Sequence, residues 1–390
     1  MAGGTVDLTK LHWRTRLTVA GRDHARSEGA INPPVQRAST LVLDDADDLY
    51  GKDNKTYAID GMAAQEALRA ALQTIEGGEQ VVLTPSGLSA CTLALMTAAR
   101  PGGEMLVADC VYGPTRRFCD TTLKRFGVAT RYFPARAGAD IAAMMHENTC
   151  GVFMESPGSL TFELQDARAI AAAAQSVGAI SIIDNTWSAG IYFDPFKHGI
   201  DLSVQALTKY QNGHADVFMG SVSGNGAAAD LLAKTHREIG HTVSPDDAYL
   251  VLRGIRTLGA RLELQSASAL RLAEWLDRRP EVVRVLHPAL PSSEDHDLWR
   301  RDFTGASGVF GFVLRDTPAA KLKAMLESLT LFAMGFSWGG YESLIVPCDP
   351  QLKRTASAWT PEGPLVRVSI GLEDSNDLAA DLEHAFTHLN

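Results

Sequence analysis

Residues 181–187, Ser-Ile-Ile-Asp-Asn-Thr-Trp, decide the fold together with residues 201–210, Asp-Leu-Ser-Val-Gln-Ala-Leu-Thr-Lys-Tyr. Each segment is a short apolar run of strand length that ends in a reactive side chain, a carboxylate at Asp184 and an amine at Lys209. Ligands of α/β folds gather at the carboxyl ends of parallel strands. The two segments therefore predict that Asp184 and Lys209 belong to one site.

A carboxylate and an amine at neighbouring strand ends suit the cofactor pyridoxal phosphate (PLP). Its aldehyde forms a Schiff base with a lysine, and its pyridine nitrogen needs a carboxylate to stay protonated and act as an electron sink. Each residue alone also has an ordinary explanation, because a strand-end lysine can reach solvent and Asp184 can cap the next helix. Their occurrence together favours the cofactor, and desolvation of Lys209 would expose a nucleophilic amine.

The composition indicates a soluble globular protein. The chain has 390 residues, of which 45% are hydrophobic and 21% are charged, so more than one domain is expected. A net charge of −10 argues against a nucleic-acid partner. Five cysteines without a C-x-x-C pair indicate reduced thiols. The start of the chain lacks the apolar region of a signal peptide, and no apolar run reaches the roughly 20 residues that span a bilayer, so we expect a cytoplasmic protein without a membrane partner.

Strand and helix patterns alternate between residues 62 and 209, which predicts an α/β fold with a mostly parallel central sheet. We expect residues 56–250 to form a PLP-binding domain. Residues 1–55 are polar and irregular and are expected to form an N-terminal arm. A long helix predicted over residues 260–277 leads to a smaller α+β domain, expected over residues 251–390.

Further candidate side chains lie between the predicted elements. The backbone N–H groups of Gly87 and Leu88 stand at a predicted helix start and can cradle a phosphate, together with the Thr208 hydroxyl. Tyr112 follows a strand and can stack on a flat pyridine ring. Arg367 lies on a half-buried strand and needs an anionic partner, either a structural carboxylate or the α-carboxylate of an amino acid.

His384 and His388 have the spacing of metal ligands on a helix, but no third ligand lies nearby, so no metal site is expected.

The chain resembles the Cys/Met-metabolism family of PLP enzymes from about residue 56 to the C-terminus. The motifs that carry the resemblance are residues 155–159, 183–187, 205–210, 301–305, 337–344 and 370–374. Within the family, the chain is most similar to the bacterial cystathionine β-lyase branch. This similarity depends mainly on Trp338, because γ-acting relatives usually have a smaller residue in that S-x-G-G motif.

The resemblance implies PLP-dependent transferase fold type I and a homotetramer of dimers whose active sites lie at the dimer interface. It assigns Lys209 as the Schiff-base lysine and proton shuttle, and Asp184 as the partner of the pyridine nitrogen. It also has Tyr112 stack on the ring and activate the substrate amine. The implied phosphate ligands are Gly87, Leu88, Thr208 and, from the neighbouring subunit, Tyr57. The implied substrate ligands are Arg367, Ser337 and Trp338.

The chain departs from the family at its Y-x-R motif, which reads Tyr-Ala-Ile-Asp-Gly at residues 57–61. Ile59 stands at the position of a phosphate-binding arginine. The absence of that arginine would lower the affinity for the cofactor by about one to two orders of magnitude. Asp60 stands where close β-lyase relatives often carry a second arginine, and it would repel the distal carboxylate of cystathionine. Three nearby cations are candidates for the missing charge: Lys52, Lys55 and Arg116.

The resemblance implies a carbon–sulfur β-lyase of methionine biosynthesis, which performs α,β-elimination on L-cystathionine to give homocysteine, pyruvate and ammonia. Ile59 and Asp60 favour an alternative, a cysteine-S-conjugate β-lyase or cysteine desulfhydrase whose substrate, a small sulfur amino acid, lacks the distal carboxylate. A γ-lyase or γ-synthase is disfavoured by Trp338. A catalytically inactive PLP-fold binding or regulatory subunit is disfavoured because Lys209 and Asp184 are both present.

Overall fold

The computed structural model describes residues 7–23, 27–51, 54–360 and 362–389 and contains two β-sheets. The strands of the first sheet are β1 (Gln80–Thr84), β2 (Glu104–Ala108), β3 (Ala129–Phe133), β4 (Thr149–Glu155), β5 (Ile180–Asp184), β6 (Leu202–Gln205) and β7 (Gly220–Gly224). The strands of the second sheet are β8 (Val282–Leu286), β9 (Val309–Leu314), β10 (Ala333–Met334), β11 (Leu344–Pro347) and β12 (Leu365–Ser369). The α-helices are α1 (Trp13–Val19), α2 (Ala63–Glu76), α3 (Gly87–Ala98), α4 (Gly113–Phe118), α5 (Ala167–Ser176), α6 (Gly226–Ile239), α7 (Pro245–Leu276), α8 (His296–Asp302), α9 (Ala319–Ser328) and α10 (Ser375–Phe386).

The seven-stranded sheet has the order β1-β7-β6-β5-β4-β2-β3. Strand β7 pairs antiparallel with β1 and β6, and the other neighbours are parallel. The five-stranded sheet has the order β10-β11-β12-β9-β8 and is largely antiparallel. The predicted α/β class, with a mostly parallel central sheet and a second, smaller sheet, is confirmed. Because β4, β5 and β6 are parallel, their carboxyl ends lie at one edge of the sheet.

Helices cover both sheets, and their buried side chains form the core of the protein. Leu93 and Leu95 of α3, for example, pack with Phe153 of β4 in one buried cluster. In the second sheet, Phe310 and Phe312 of β9 pack with side chains of α7 and α10. Among the described residues, no helix is both long and apolar enough to cross a membrane.

Five strands, three helices and the first half of a long helix were not predicted. The strands are β3, β7, β8, β10 and β11, the helices are α1, α6 and α8, and α7 begins at Pro245 rather than at residue 260. Two of these elements, β7 and the first half of α7, contain glycine, which is a poor former of strands and helices, and so their patterns did not predict them. Packing requires it there: a Cβ at Gly220 would lie 2.5 Å from the Ser86 carbonyl oxygen, and one at Gly254 would lie 2.3 Å from the carbonyl oxygen of Gln211.

The N-terminal segment is more ordered than its polar composition predicts. It contains α1, in which Leu17 is buried. Arg256 of α7 donates hydrogen bonds to the carbonyl oxygens of Leu17, at 2.8 Å, and Ala20, at 2.7 Å. Contacts with α7, remote in sequence, therefore hold this helix in place.

Glu76, the last residue of α2, fastens the ends of β5 and β6. Its buried carboxyl accepts hydrogen bonds from Asn185 Nδ2 at 3.1 Å, Ser203 Oγ at 2.6 Å and Gln205 Nε2 at 2.7 Å. Ser223 Oγ of β7 donates a fourth, at 3.0 Å. Asn185 directly follows β5 and Gln205 ends β6, so this one side chain sets the spacing between the two strand ends that carry the predicted site.

Replacing Glu76 with alanine is expected to lower the free energy of unfolding by about 3 kcal/mol, because four buried donors lose their acceptor. Urea denaturation would measure the loss as a lower midpoint. Glu238→Ala provides the control: its side chain is 67% exposed and lies 4.0 Å from Lys234, so a change within about 0.5 kcal/mol is expected. Equal midpoints for the two variants would show that the Glu76 network does not fasten the sheet.

Candidate active site

Lys209 lies in the turn that follows β6, and its amine is buried. Nζ donates a hydrogen bond to Ser337 Oγ at 3.0 Å, and it lies 5.2 Å from the centre of the Trp338 ring. Burial, together with the positive charge of Arg367, lowers the pKa of Lys209 to about 8. A useful fraction of this side chain is therefore a neutral, nucleophilic amine near neutral pH.

Asp184 ends β5, and three donors hold its carboxyl in place. Oδ1 accepts the Thr186 N–H at 3.0 Å and the Thr186 hydroxyl at 2.5 Å, and Oδ2 accepts the Cys91 thiol at 3.6 Å. Burial raises the pKa of Asp184, whereas these hydrogen bonds oppose the increase. The Thr186 hydroxyl also accepts the Ala206 N–H at 2.9 Å, which ties Asp184 to the segment that leads to the lysine.

The first turn of α3 lies against the same segment. Ser86 caps the helix, since its Oγ accepts the Ser89 N–H at 3.1 Å. The N–H groups of Gly87 and Leu88 precede the first intrahelical hydrogen bonds and remain available to a ligand. A Cβ at Gly87 would lie 2.5 Å from the Cβ of Ala206, so only glycine allows this close approach.

Tyr112 and Glu155 complete this edge of the site. Tyr112 immediately precedes α4, the residue is 46% exposed, and its N–H donates to Glu155 Oε2 at 2.6 Å. Burial raises the pKa of the Tyr112 phenol, so the phenol is protonated at neutral pH. The side chain of Glu155 was not among the site residues predicted from the sequence. It ends a buried strand just as Asp184 does, and this position could have identified it.

Arg367 of β12 is buried and faces the lysine from the second sheet. Its Nη2 donates to the carbonyl oxygens of Phe336, at 2.7 Å, and Ser337, at 3.1 Å. In the described part of the chain no carboxylate forms an ion pair with it, so the structural salt bridge considered above is not found there. Burial lowers the pKa of Arg367. A buried guanidinium held by neutral carbonyls is suited to an anionic ligand.

These residues fit PLP. A buried amine of lowered pKa, a buried carboxyl with fixed donors, two helical N–H groups and a buried guanidinium meet at one edge of the sheet. They match the aldehyde, the pyridine nitrogen and the phosphate of the cofactor, and the carboxylate of an amino acid. Close packing of glycine against Ala206 brings the helix start to the lysine segment.

The model of the family described as Cys/Met metabolism PLP-dependent enzyme matches residues 14–387. The chain belongs to this family. It is 46% identical to a putative cystathionine beta-lyase of Rhizobium johnstonii over 95% of both chains. It is 41% identical to the cystathionine beta-lyase of Escherichia coli over 96% of this chain and 98% of that protein. The crystal structure of metB from Corynebacterium glutamicum superposes with a TM-score of 0.92 at 28% identity, covering 99% of this chain and 100% of that one.

The predicted family, cofactor and enzyme class are thereby confirmed: the protein is a PLP-dependent enzyme. Other relatives include an L-alanine/L-glutamate racemase and an L-methionine gamma-lyase, at 34% and 32% identity. Membership of the family therefore does not determine the reaction.

Two predicted phosphate ligands have other contacts within this chain. The Thr208 hydroxyl donates to the Met219 carbonyl oxygen at 3.2 Å and accepts the Met219 N–H at 3.0 Å. The backbone of Tyr57 pairs with Thr40 in an isolated bridge, and the residue is 51% exposed. Within the described ranges Tyr57 has no hydrogen bond with Lys209, Asp184 or Ser337. A role for Tyr57 at a neighbouring subunit stays a prediction.

Two of the three cations considered as replacements for the missing arginine have other partners. Lys55 Nζ donates to the Gly61 carbonyl oxygen at 2.7 Å and pairs with Glu66. Arg116 pairs with the buried carboxylate of Asp109. Lys52 lies outside the described residues. Neither Lys55 nor Arg116 is therefore placed to take over the phosphate contact from Ile59.

Adding PLP to the cofactor-free protein is expected to produce a visible absorbance band, and Lys209→Ala is expected to abolish it, because the buried amine is the group that can bind the aldehyde. Lys197→Ala is the matched control: this lysine is 82% exposed and pairs with Asp194 at 2.7 Å, so the band should be unchanged. A band of equal strength in Lys209→Ala would disprove the assignment of this lysine.

Proposed function

We propose that this enzyme is a carbon–sulfur β-lyase that converts L-cystathionine into homocysteine, pyruvate and ammonia. The observation that carries the proposal is the position of Trp338. Its indole lies 5.2 Å from Lys209 Nζ and meets the Tyr210 ring edge-on, at 5.4 Å between ring centres. The indole restricts the movement of the amine and favours a single proton transfer at Cα, whereas γ-elimination also requires proton transfer at Cβ. The names of the β-lyase relatives support the same reaction.

Lys209 is the proposed base. Its amine takes the Cα proton of the substrate, and a pKa of about 8 makes the unprotonated form available at modestly alkaline pH. Ser337 orients this amine through its hydrogen bond. PLP, when bound, supplies the electron sink that stabilises the negative charge at Cα.

The other residues of the site hold the reacting groups. We assign Asp184 to the pyridine nitrogen, and the N–H groups of Gly87 and Leu88 to the phosphate. Arg367 is the proposed ligand of the substrate α-carboxylate, since it is the buried cation that faces Lys209 across the site.

Cleavage of the carbon–sulfur bond requires a proton for the leaving sulfur. Lys209 carries the proton taken from Cα and can deliver it to the thiolate. The Tyr112 phenol, protonated at neutral pH, is a second possible donor. The sulfur fragment then leaves as homocysteine, and the three-carbon fragment takes up water to yield pyruvate and ammonia.

The proposal includes the assembly and the location of the enzyme. A homotetramer with active sites at dimer interfaces would allow the half-exposed Tyr57 to reach a neighbouring site. The division into an arm, a PLP-binding domain and a C-terminal domain at residues 55/56 and 250/251 belongs to the proposal, as do a role in methionine biosynthesis and a cytoplasmic location.

Incubating the PLP-saturated enzyme with L-cystathionine is expected to release pyruvate and homocysteine in equal amounts, because the bond between Cβ and sulfur is cut. Chromatography of the products would measure both. Release of cysteine and 2-oxobutyrate would instead demonstrate cleavage on the γ side and contradict the proposed reaction.

A second candidate function is favoured by Ile59 and Asp60: the same elimination acting on cysteine thioethers that lack a distal carboxylate. Asp60 is exposed, and its carbonyl oxygen accepts a hydrogen bond from Arg69 at 2.8 Å. If Asp60 faces the distal end of the substrate in a neighbouring subunit, it repels a carboxylate there and tolerates a neutral alkyl group.

Asp60→Arg distinguishes the two substrate classes. We expect the variant to raise kcat/KM for L-cystathionine about tenfold, because a repulsive charge is replaced by an attractive one, equivalent to about 1.4 kcal/mol. S-methyl-L-cysteine, which has no distal charge, is the control substrate, and its kcat/KM should not change. Equal changes for both substrates would show that Asp60 does not face the distal group.

A further inference from the structure

Two buried carboxyl groups lie side by side at the edge of the site. Glu155 ends β4 and Asp184 ends β5, and the two residues are paired in register between neighbouring parallel strands. Side chains paired in this way point to the same face of a sheet. Two negative charges on neighbouring strands of a buried site repel each other strongly. The pair therefore favours a state in which one carboxyl group keeps a proton.

The hydrogen bonds show which member keeps the charge. Asp184 accepts three donors, two from Thr186 and one from Cys91. Among the described residues, the carboxyl of Glu155 accepts one donor, the N–H of Tyr112. Donors stabilise the ionised form of a carboxyl, so the negative charge belongs on Asp184. Burial and the charge of Asp184 raise the pKa of Glu155 well above its usual range, in agreement with this assignment.

The other groups around Glu155 do not reverse the assignment. The positive charge of Arg354 lowers the pKa of Glu155. Arg354 Nη2 also pairs with Glu163, at 3.1 Å from Oε1 and 2.9 Å from Oε2, and this carboxylate offsets its charge. Burial raises the pKa values of the Cys91 thiol and the Tyr112 phenol, so both are neutral at neutral pH.

We propose that Glu155 is a positioning residue that works as a neutral carboxylic acid. Its carboxyl oxygen accepts the Tyr112 N–H and so fixes the residue whose ring is assigned to the cofactor, while the negative charge of the pair stays on Asp184. The inference rests on the PLP site and is independent of which sulfur amino acid is the substrate.

A neutral Glu155 also protects the reactivity of Lys209. The negative charge of Asp184 already raises the pKa of Lys209, opposing the lowering caused by burial and by Arg367. A second negative charge at Glu155 would raise it further, because anions stabilise the protonated amine. The proton on Glu155 therefore keeps more of the Lys209 amine neutral.

The test compares Glu155→Gln with Glu155→Ala in the absence of substrate. Glutamine is uncharged, has the same shape and retains an oxygen for the Tyr112 N–H, whereas alanine removes the acceptor. PLP affinity is measured by titrating the cofactor-free protein, and the pH midpoint of the visible absorbance band is measured on the loaded protein. We expect Glu155→Gln to match the wild type in both, and Glu155→Ala to weaken PLP binding about tenfold.

Asp184→Asn is the comparison variant, because it neutralises the other member of the pair. It is expected to weaken PLP binding and shift the absorbance midpoint, unlike Glu155→Gln. A midpoint shift of about one pH unit or more in Glu155→Gln would show that Glu155 carries a charge and would overturn the inference. Unchanged PLP affinity in Glu155→Ala would overturn the positioning role.

Infrared difference spectroscopy tests the proton directly. The loaded wild-type protein minus Glu155→Gln should show the C=O stretching band of a protonated carboxylic acid, and that band should shift in deuterated water. Finding only carboxylate bands in this difference would overturn the inference. These experiments use no substrate, so their failure is distinct from a failure of the proposed lyase reaction.

Discussion

The parallel pairing of β4, β5 and β6 is the constraint on which the rest of the site depends. It brings three strand ends to one edge of the sheet and places Glu155, Asp184 and the Lys209 turn next to one another. Glu76 links two of these ends through hydrogen bonds to Asn185 and Gln205. The Thr186 hydroxyl links them again, between Asp184 and Ala206. The geometry of the site is therefore built into the hydrogen bonding of the sheet.

Burial has opposite effects on the amine and on the carboxyl groups of this site. It lowers the pKa of Lys209 because the charged ammonium loses its hydration. It raises the pKa values of Asp184 and Glu155 because the charged carboxylates lose theirs. Hydrogen-bond donors then decide which carboxyl remains charged. One physical effect, modified by local donors, can thus prepare a nucleophilic amine and a single negative charge within the same site.

The residues proposed for the chemistry and those proposed to influence the substrate preference lie in different parts of the chain. Lys209 and Arg367 are buried among elements of both sheets, where substitutions would disturb packing. Ile59 and Asp60 lie on an exposed segment before α2. A change on that segment alters charge without repacking the core, and the departure from the family motif occurs there.

Local patterns in the sequence predicted the residues proposed for the reactive core. An apolar run ending in Asp184, another leading to Lys209, and a capped helix start at Gly87 can each be recognised without distant contacts. Other features were decided by tertiary structure alone, because they depend on residues far apart in the chain. The proposed role of Glu155 depends on Asp184, its partner on the neighbouring strand. The glycines within β7 and α7 are explained only by the backbone that packs against them. Packing also sets the ion pairs of Lys55 and Arg116. Because of these ion pairs, neither residue replaces the missing arginine.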